Sequence, residues 1–285
     1  MSADSLPAPV PASTLEPEAL AALMDAVYSD DHLPMHVDLA ALRFMVASFD
    51  LDLDESRVFV ENGEPVAIAL LGMRGGRAWI GGMGVVPAAR RRGLGERAMV
   101  AVIDRARALG AREVWLEVLT QNVRAIPLYE RLGFRHVRRL DVVRLTAAPA
   151  APAGVTTRAV GTDEALEFIR LHRRSEEPWQ REEGSLRNWI RDALAMECTA
   201  ALEGGRVTGV AVHRVAGGRA SILQMVSMPG REETATLALL AAAFRPEAEQ
   251  GLRWLNLPQD DPASAHVLAL SPEFEASQHD MRLTL

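Results

Sequence analysis

Apolar residues recur along this chain in two periods, and the alternation between them sets out the elements. "PEALAALMDAVY" (17–28) and "DLAALRFMVASF" (38–49) space their apolar side chains three and four apart, as one face of a helix requires. "RVFVEN" then alternates as a strand into Asn62-Gly63, two residues that tolerate the positive φ of a tight hairpin, and "PVAIALLGMR" returns to a second turn at Gly75-Gly76. "AWIGGMGVV" continues as a strand whose glycines signal a bulge or a close backbone approach. Leu94, Ala98, Val102, Ala106 and Leu109 form one helical stripe, widened by Met99 and Ile103 and stopped by Gly110. "EVWLEV" reads as a strand, "AIPLYERL" as a short helix and "GFRHVRRLDVVRL" as a closing strand region, so the segment predicts a mixed α/β fold with hairpins beside one β-α-β unit.

The pattern occurs twice. Shifting the chain by 142 positions lays Val60–Pro87 over Leu202–Pro229 without a gap, matching Gly75-Gly76-Arg77-Ala78 with Gly217-Gly218-Arg219-Ala220, Met83 with Met225 and Pro87 with Pro229. Two copies of one fold follow. The expected division is a flexible N-terminal tail (1–13), a first domain (14–145), a Pro/Ala-rich linker (146–155) and a second domain (156–285).

Composition narrows the chemistry. The 285 residues are 48% hydrophobic and 24% charged, with no apolar stretch suited to crossing a bilayer. The N-terminus lacks the basic and apolar regions of a secretion signal, and the single Cys198 excludes an intrachain disulfide, so a cytoplasmic location is expected. The net charge of −7 argues against nucleic acid as a partner, and the absence of any lysine excludes a Walker A loop and a Schiff-base lysine. Residues 1–64 hold thirteen acidic residues against Arg43 and Arg57, an attractor for cations or simply a solvated acidic face. His32 and His36 flank Pro34 and read as a surface turn, Cys198 as a packing residue, and no metal site is expected.

Between the glycine-bearing strand and the long helix lies "PAARRRGLG" (87–95). Its glycines allow a close backbone approach, and the helix that follows aims unpaired N–H groups and its positive dipole end at the same place. Alone, the stretch reads either as a phosphate cradle or as a basic surface turn.

Trp79–Phe134 resembles the Gcn5-related N-acetyltransferases, the GNAT superfamily. Arg90-Arg91-Arg92-Gly93-Leu94-Gly95 fits that family's Arg/Gln-x-x-Gly-x-Gly/Ala loop, and "LEVLTQNVRAIPLYERLGF" (116–134) fits its second conserved block. The resemblance implies two GNAT-like domains, each a mostly antiparallel sheet flanked by helices, with acetyl-CoA as cosubstrate. It assigns main-chain contacts with pantetheine to Val85 and Val86, the pyrophosphate to the turn from Arg90, Arg91, Arg92, Gly93, Leu94 and Gly95 to Glu96, and the cysteamine end to Asn122. Splaying of the fourth and fifth strands would open the slot for the thioester.

The same resemblance makes Tyr129 the hydroxyl that serves the departing thiolate. It makes Glu117 a candidate base, since ribosomal-protein N-terminal acetyltransferases carry a glutamate at the same spacing from the tyrosine; a purely structural Glu117 stays open. The strand before the loop lacks the carboxylate that many relatives place there, which leaves a main-chain N–H near Met83 to Val85 to polarise the carbonyl. The implied activity is direct transfer to a primary amine: a small amine, an aminoglycoside-like compound or a peptide N-terminus. The alternative is a CoA-binding sensor or interaction module without turnover. Oligomeric association is left open.

The second copy departs from this pattern. "GREETATL" replaces the loop and sets Glu232 and Glu233 where phosphates need donors, and the matching helix supplies His266 but no tyrosine. This copy is expected to be a degenerate domain that does not bind CoA.

Overall fold

A computed structural model of the chain describes residues 7–29, 36–248 and 250–285. His32 lies outside them. The described residues form two compact units, 1–137 with 279–285 and 138–278.

The first unit runs β1 (Pro9–Pro11), α1 (Pro17–Tyr28), α2 (Leu39–Ser48), β2 (Leu51–Glu61), β3 (Glu64–Arg74), β4 (Arg77–Val85), α3 (Leu94–Ala108), β5 (Glu113–Leu119) and α4 (Ile126–Arg131), then enters β6 (Arg135–Leu145). Pro17 starts α1 at a position where its missing N–H costs nothing, and the Asp38 carboxylate caps α2 by accepting from the Ala41 N–H at 2.7 Å. Strands β1 to β4 pair antiparallel in sequence order, and β4 pairs parallel with β5. Helix α3 crosses the sheet with Leu94, Ala98, Met99, Val102, Ile103 and Ala106 buried against Phe59, Leu71 and Leu116. Leu109, expected in that stripe, caps the helix and is exposed.

The second unit repeats the plan with β7 (Val155–Ala159), α5 (Thr162–His172), α6 (Glu183–Arg191), β8 (Glu197–Glu203), β9 (Arg206–Ala216), β10 (Arg219–Ser227), α7 (Glu232–Ala243), β11 (Leu252–Pro258), α8 (Ser264–Leu268) and β12 (Glu273–Thr284). Its strand order is β6-β11-β10-β9-β8-β7, with β10 and β11 parallel. Cys198 is buried, which pushes its thiol pKa up and fits a packing role.

Two expected boundaries are corrected. Residues 7–13 are not a free tail: β1 pairs with β2 through Pro9↔Phe59, Val10↔Val58 and Pro11↔Arg57. An edge strand accepts two prolines because alternate nitrogens face away from the ladder and need no N–H. The units also divide inside β6 and before the last residues of β12, not at the irregular stretch 146–154. The edge of β5 is covered by the end of β12, where the Leu285 N–H donates to the Arg112 carbonyl at 2.9 Å and Arg282 lies over the Trp115 ring at 5.3 Å. Met281 is fully buried in the core of the first unit.

Met281→Ala should therefore destabilise the first unit by about 2–5 kcal/mol, the usual cost of truncating a buried Met, measured by denaturant unfolding. Phe274→Ala, an exposed position on the same strand, should change stability by no more than about 0.5 kcal/mol.

Candidate active site

Pairing between β4 and β5 lasts from Arg77↔Glu113 to Trp79↔Trp115 and then stops, so the strands fork. Along β3 the register slips between Leu70↔Gly82 and Leu71↔Ile80, which makes Gly81 the extra residue of a β-bulge. Beyond it, the Val86 N–H donates to the Val66 carbonyl at 2.9 Å, so Val85 and Ala67 form a non-hydrogen-bonded pair. By the same alternation the main-chain N–H groups of Met83 and Val85 turn away from β3, into the fork. The bulge changes the parity; an unbroken strand would present Gly82 and Gly84 instead.

The fork opens into a groove of about 990 Å³, at the upper end of ordinary small-molecule sites. One wall is α1: a Cβ at Gly84 would overlap the Val27 side chain, and one at Gly82 would come within 3.2 Å of the Tyr28 hydroxyl. The glycines of β4 thus admit the helix. At the far end the backbone takes positive φ at Arg91 (61°) and Gly93 (82°) and enters α3 with no side-chain cap. A non-glycine residue in that region costs about 1–2 kcal/mol. The first-turn N–H groups of α3 point into the groove that Gly93, Leu94 and Gly95 line, an anion site by both hydrogen bonding and dipole.

The three arginines do different things. Arg90 turns back, donating from Nε to the Val85 carbonyl at 2.9 Å and from its terminal nitrogen to the Val27 carbonyl at 3.3 Å, and so braces β4 against α1. Arg92 makes a bidentate bond to Glu61 at 2.8 and 2.7 Å. Arg91 lines the groove and has no side-chain hydrogen bond or ion pair among the described residues, and the same holds for Arg124 across the groove. Glu96 faces Arg131 at 3.8 Å on the surface.

Asn122 lines the groove and closes the turn before α4, its side-chain oxygen accepting from the Ala125 N–H at 3.1 Å. Tyr129, 7% exposed, stands between the groove and the core, its ring 6.0 Å from that of Phe134. Val86 departs from its expected role: its N–H is spent on Val66 and its carbonyl accepts from Ala89 at 2.9 Å. The Val85 carbonyl is taken by Arg90, which leaves the Val85 N–H for the fork. Glu117 is not part of the groove lining; it lies on β5 just past the last pair, where its carboxylate accepts from the Trp79 indole at 2.8 Å. Val27, Tyr28 and Arg124 are among the wall residues that sequence reasoning missed. The glycine run of β4 was the signal for α1, since glycine so placed admits a neighbouring backbone or helix.

The equivalent fork in the second unit is closed. β10 and β11 pair from Ala220↔Leu252 to Ile222↔Trp254, and Leu223 is the bulged residue, 142 positions after Gly81. Arg181, 1% exposed, bridges the gap: Nε donates to the Leu223 carbonyl at 3.1 Å and a terminal nitrogen to the Asn256 carbonyl at 3.1 Å. Glu177 pairs with the guanidinium at 3.2 Å, the Trp254 ring stacks on it at 5.1 Å, and Gln224 donates to the Arg181 carbonyl. About 10 Å³ of space is left beside this cluster. At the start of α7, Glu232 pairs with Arg174 at 2.8 Å, and hydrogen bonds from its own N–H and that of Gly230 hold its carboxyl below the usual range. A side chain thus occupies the place of an anion.

Asp261, beside this cluster, has its pKa pushed up to about 6 by burial first and then by the Glu177 charge, with Arg181 opposing. A carboxyl that holds its proton more tightly folded than unfolded lowers stability at neutral pH, and the loss disappears as pH falls through about 6 toward 4. Asp261→Asn should therefore stabilise the protein by about 3 kcal/mol at pH 7.5, with the gap to wild type closing near pH 4 in denaturant titrations.

Among the described residues no helix is long and apolar enough to cross a membrane. The acetyltransferase (GNAT) family matches residues 23–134. The chain is 36% identical over 74 residues to the [Ribosomal protein bS18]-alanine N-acetyltransferase of Escherichia coli, covering 26% of this chain, and it spans about half the length of that relative. Among solved structures it resembles a GCN5-related N-acetyltransferase from Sphaerobacter thermophilus (TM-score 0.71, 18% identity, 98% of this chain and 95% of that one). It also resembles a tandem GNAT protein from the clavulanic acid biosynthesis pathway (TM-score 0.69, 17% identity, 97% and 98%). The forked β4/β5 pair and the uncapped loop before α3 lie within the segment that the acetyltransferase (GNAT) family matches, and the solved structures share the fold.

Proposed function

We propose that the protein is an acetyl-CoA-dependent N-acetyltransferase with one working site, in the first unit, that acetylates a primary amine directly. The observation that carries this is the open fork of β4 and β5 leading to an uncapped helix N-terminus within one groove of about 990 Å³. The residues present fit the cosubstrate: main-chain N–H groups from Gly93 to Glu96 for the pyrophosphate, Arg91 and Arg124 for its charge, and the Val85 N–H and Asn122 for the pantetheine arm. Acetyl-CoA supplies the activated acyl group.

The chain's own groups supply the rest. The Met83 N–H polarises the thioester carbonyl as charge develops on its oxygen. The amine nitrogen attacks the carbonyl carbon, Glu117 takes the proton that the nitrogen must lose, the carbon–sulfur bond breaks, and the Tyr129 hydroxyl donates a hydrogen bond or its proton to the departing sulfur. Amine acceptors in this reading include small amines, aminoglycoside-like compounds and peptide N-termini; likeness to the ribosomal-protein acetyltransferase favours the last. The plugged fork and the Glu232 carboxylate support a second unit without a cosubstrate site.

Titration calorimetry should find one acetyl-CoA per chain; two would overturn the assignment of the second unit. Gly95→Glu should abolish that binding: the added Cβ fits, its nearest neighbour being Val85 at 3.7 Å, but the carboxylate would enter the anion site. Tyr129→Phe should bind acetyl-CoA normally and release CoA roughly 10- to 10⁴-fold more slowly with a responsive amine. A wild-type rate would remove Tyr129 from the reaction.

A further inference from the structure

Trp79 is the last residue of β4 still paired with β5, and its partner Trp115 lies two residues before Glu117 on the same face of the strand. Its indole N–H reaches across the apex of the fork to the Glu117 carboxylate at 2.8 Å. The ring is fixed: it is 3% exposed, and Phe49 meets it edge-on at 5.9 Å, itself met by Phe44 at 6.1 Å. On its other side a Cβ at Gly81 would overlap its six-membered ring, so the bulge glycine is also the space in which the indole lies. A donor this rigid, aimed at a carboxylate beside the point where the strands part, does more than fill a core, because apolar packing alone needs no N–H directed at a charge.

We propose that Trp79 is a positioning residue for acyl transfer, its indole N–H holding the Glu117 carboxylate at the apex of the fork in the orientation from which it receives the proton of the acceptor amine. This rests on the reading of Glu117 as the base. A hydrogen bond donated to the carboxylate restrains its rotamer, so removing the donor loosens that orientation while cosubstrate contacts stay as they are.

The experiment is a double-mutant cycle of Trp79→Phe and Glu117→Gln, with folding checked by thermal unfolding. Trp79→Phe should leave the acetyl-CoA Kd and KM within about twofold and lower kcat about tenfold, roughly the worth of one oriented hydrogen bond to a charged group. In the Glu117→Gln background the same change should lower kcat no further. Equal losses in both backgrounds, or an unchanged kcat in the single variant, would overturn the proposal. Turnover lowered by Glu117→Gln but not by Trp79→Phe would overturn it alone, whereas turnover unaffected by Glu117→Gln would remove the base reading beneath it. A second measurement needs no turnover: the indole ¹H–¹⁵N signal lost in Trp79→Phe should move in Glu117→Gln, and a signal that stays in place would sink the contact itself. If Trp79→Phe does not fold, selective labelling of the Glu117→Gln protein decides by the same criterion.

Discussion

Ala78 and Trp79 pair with Val114 and Trp115, and there the parallel ladder between β4 and β5 ends. Backbone groups freed at that point must find other partners or a ligand, since buried main-chain donors are rarely left alone. The bulge at Gly81 decides which groups are freed, turning the N–H groups of Met83 and Val85 into the gap. The same glycine leaves room for the Trp79 ring, and its neighbours Gly82 and Gly84 let α1 close one wall. A few residues without side chains thus set the direction of the donors, the seat of the indole and the width of the groove together.

The two units use one geometry for opposite ends. Each has a parallel pair that stops after three rungs and a bulge at the equivalent residue. In the second, a buried guanidinium joins the separated strands, tolerable at such depth because carbonyls, a carboxylate and an aromatic face satisfy it together. A fork of this kind is therefore not a site by itself. It is a candidate in the first unit, where no side chain among the described residues joins the separated strands in this way.

Local elements were legible because their signals are local. The stripe that buries α3, the hairpin at Asn62-Gly63 and the start of α1 at Pro17 all follow from a few neighbouring residues. What was hidden depends on distant partners. "GFRHVRRLDVVRL" reads as a strand and is one, but its alternation says nothing about which edges it joins, so the covering of β5 by residues 279–285 was missed. The adjacent Arg90, Arg91 and Arg92 look equivalent in sequence, yet two are bound to the protein itself through Val27, Val85 and Glu61. Pro9 and Pro11 suggested a frayed end because proline is rare within sheets, and an edge position lifts that objection.

The bond between Leu285 and Arg112 joins residues far apart in the chain, and it helps to cover the strand that carries Glu117. Such contacts raise contact order, and the loop closed between them is long enough to contain the entire second unit. During synthesis the first unit can therefore gather its helices and early hairpins but cannot shield β5 until residues 279–285 have left the ribosome. Until then the growing polypeptide carries an exposed strand edge, the form in which nascent chains are most prone to pair with one another.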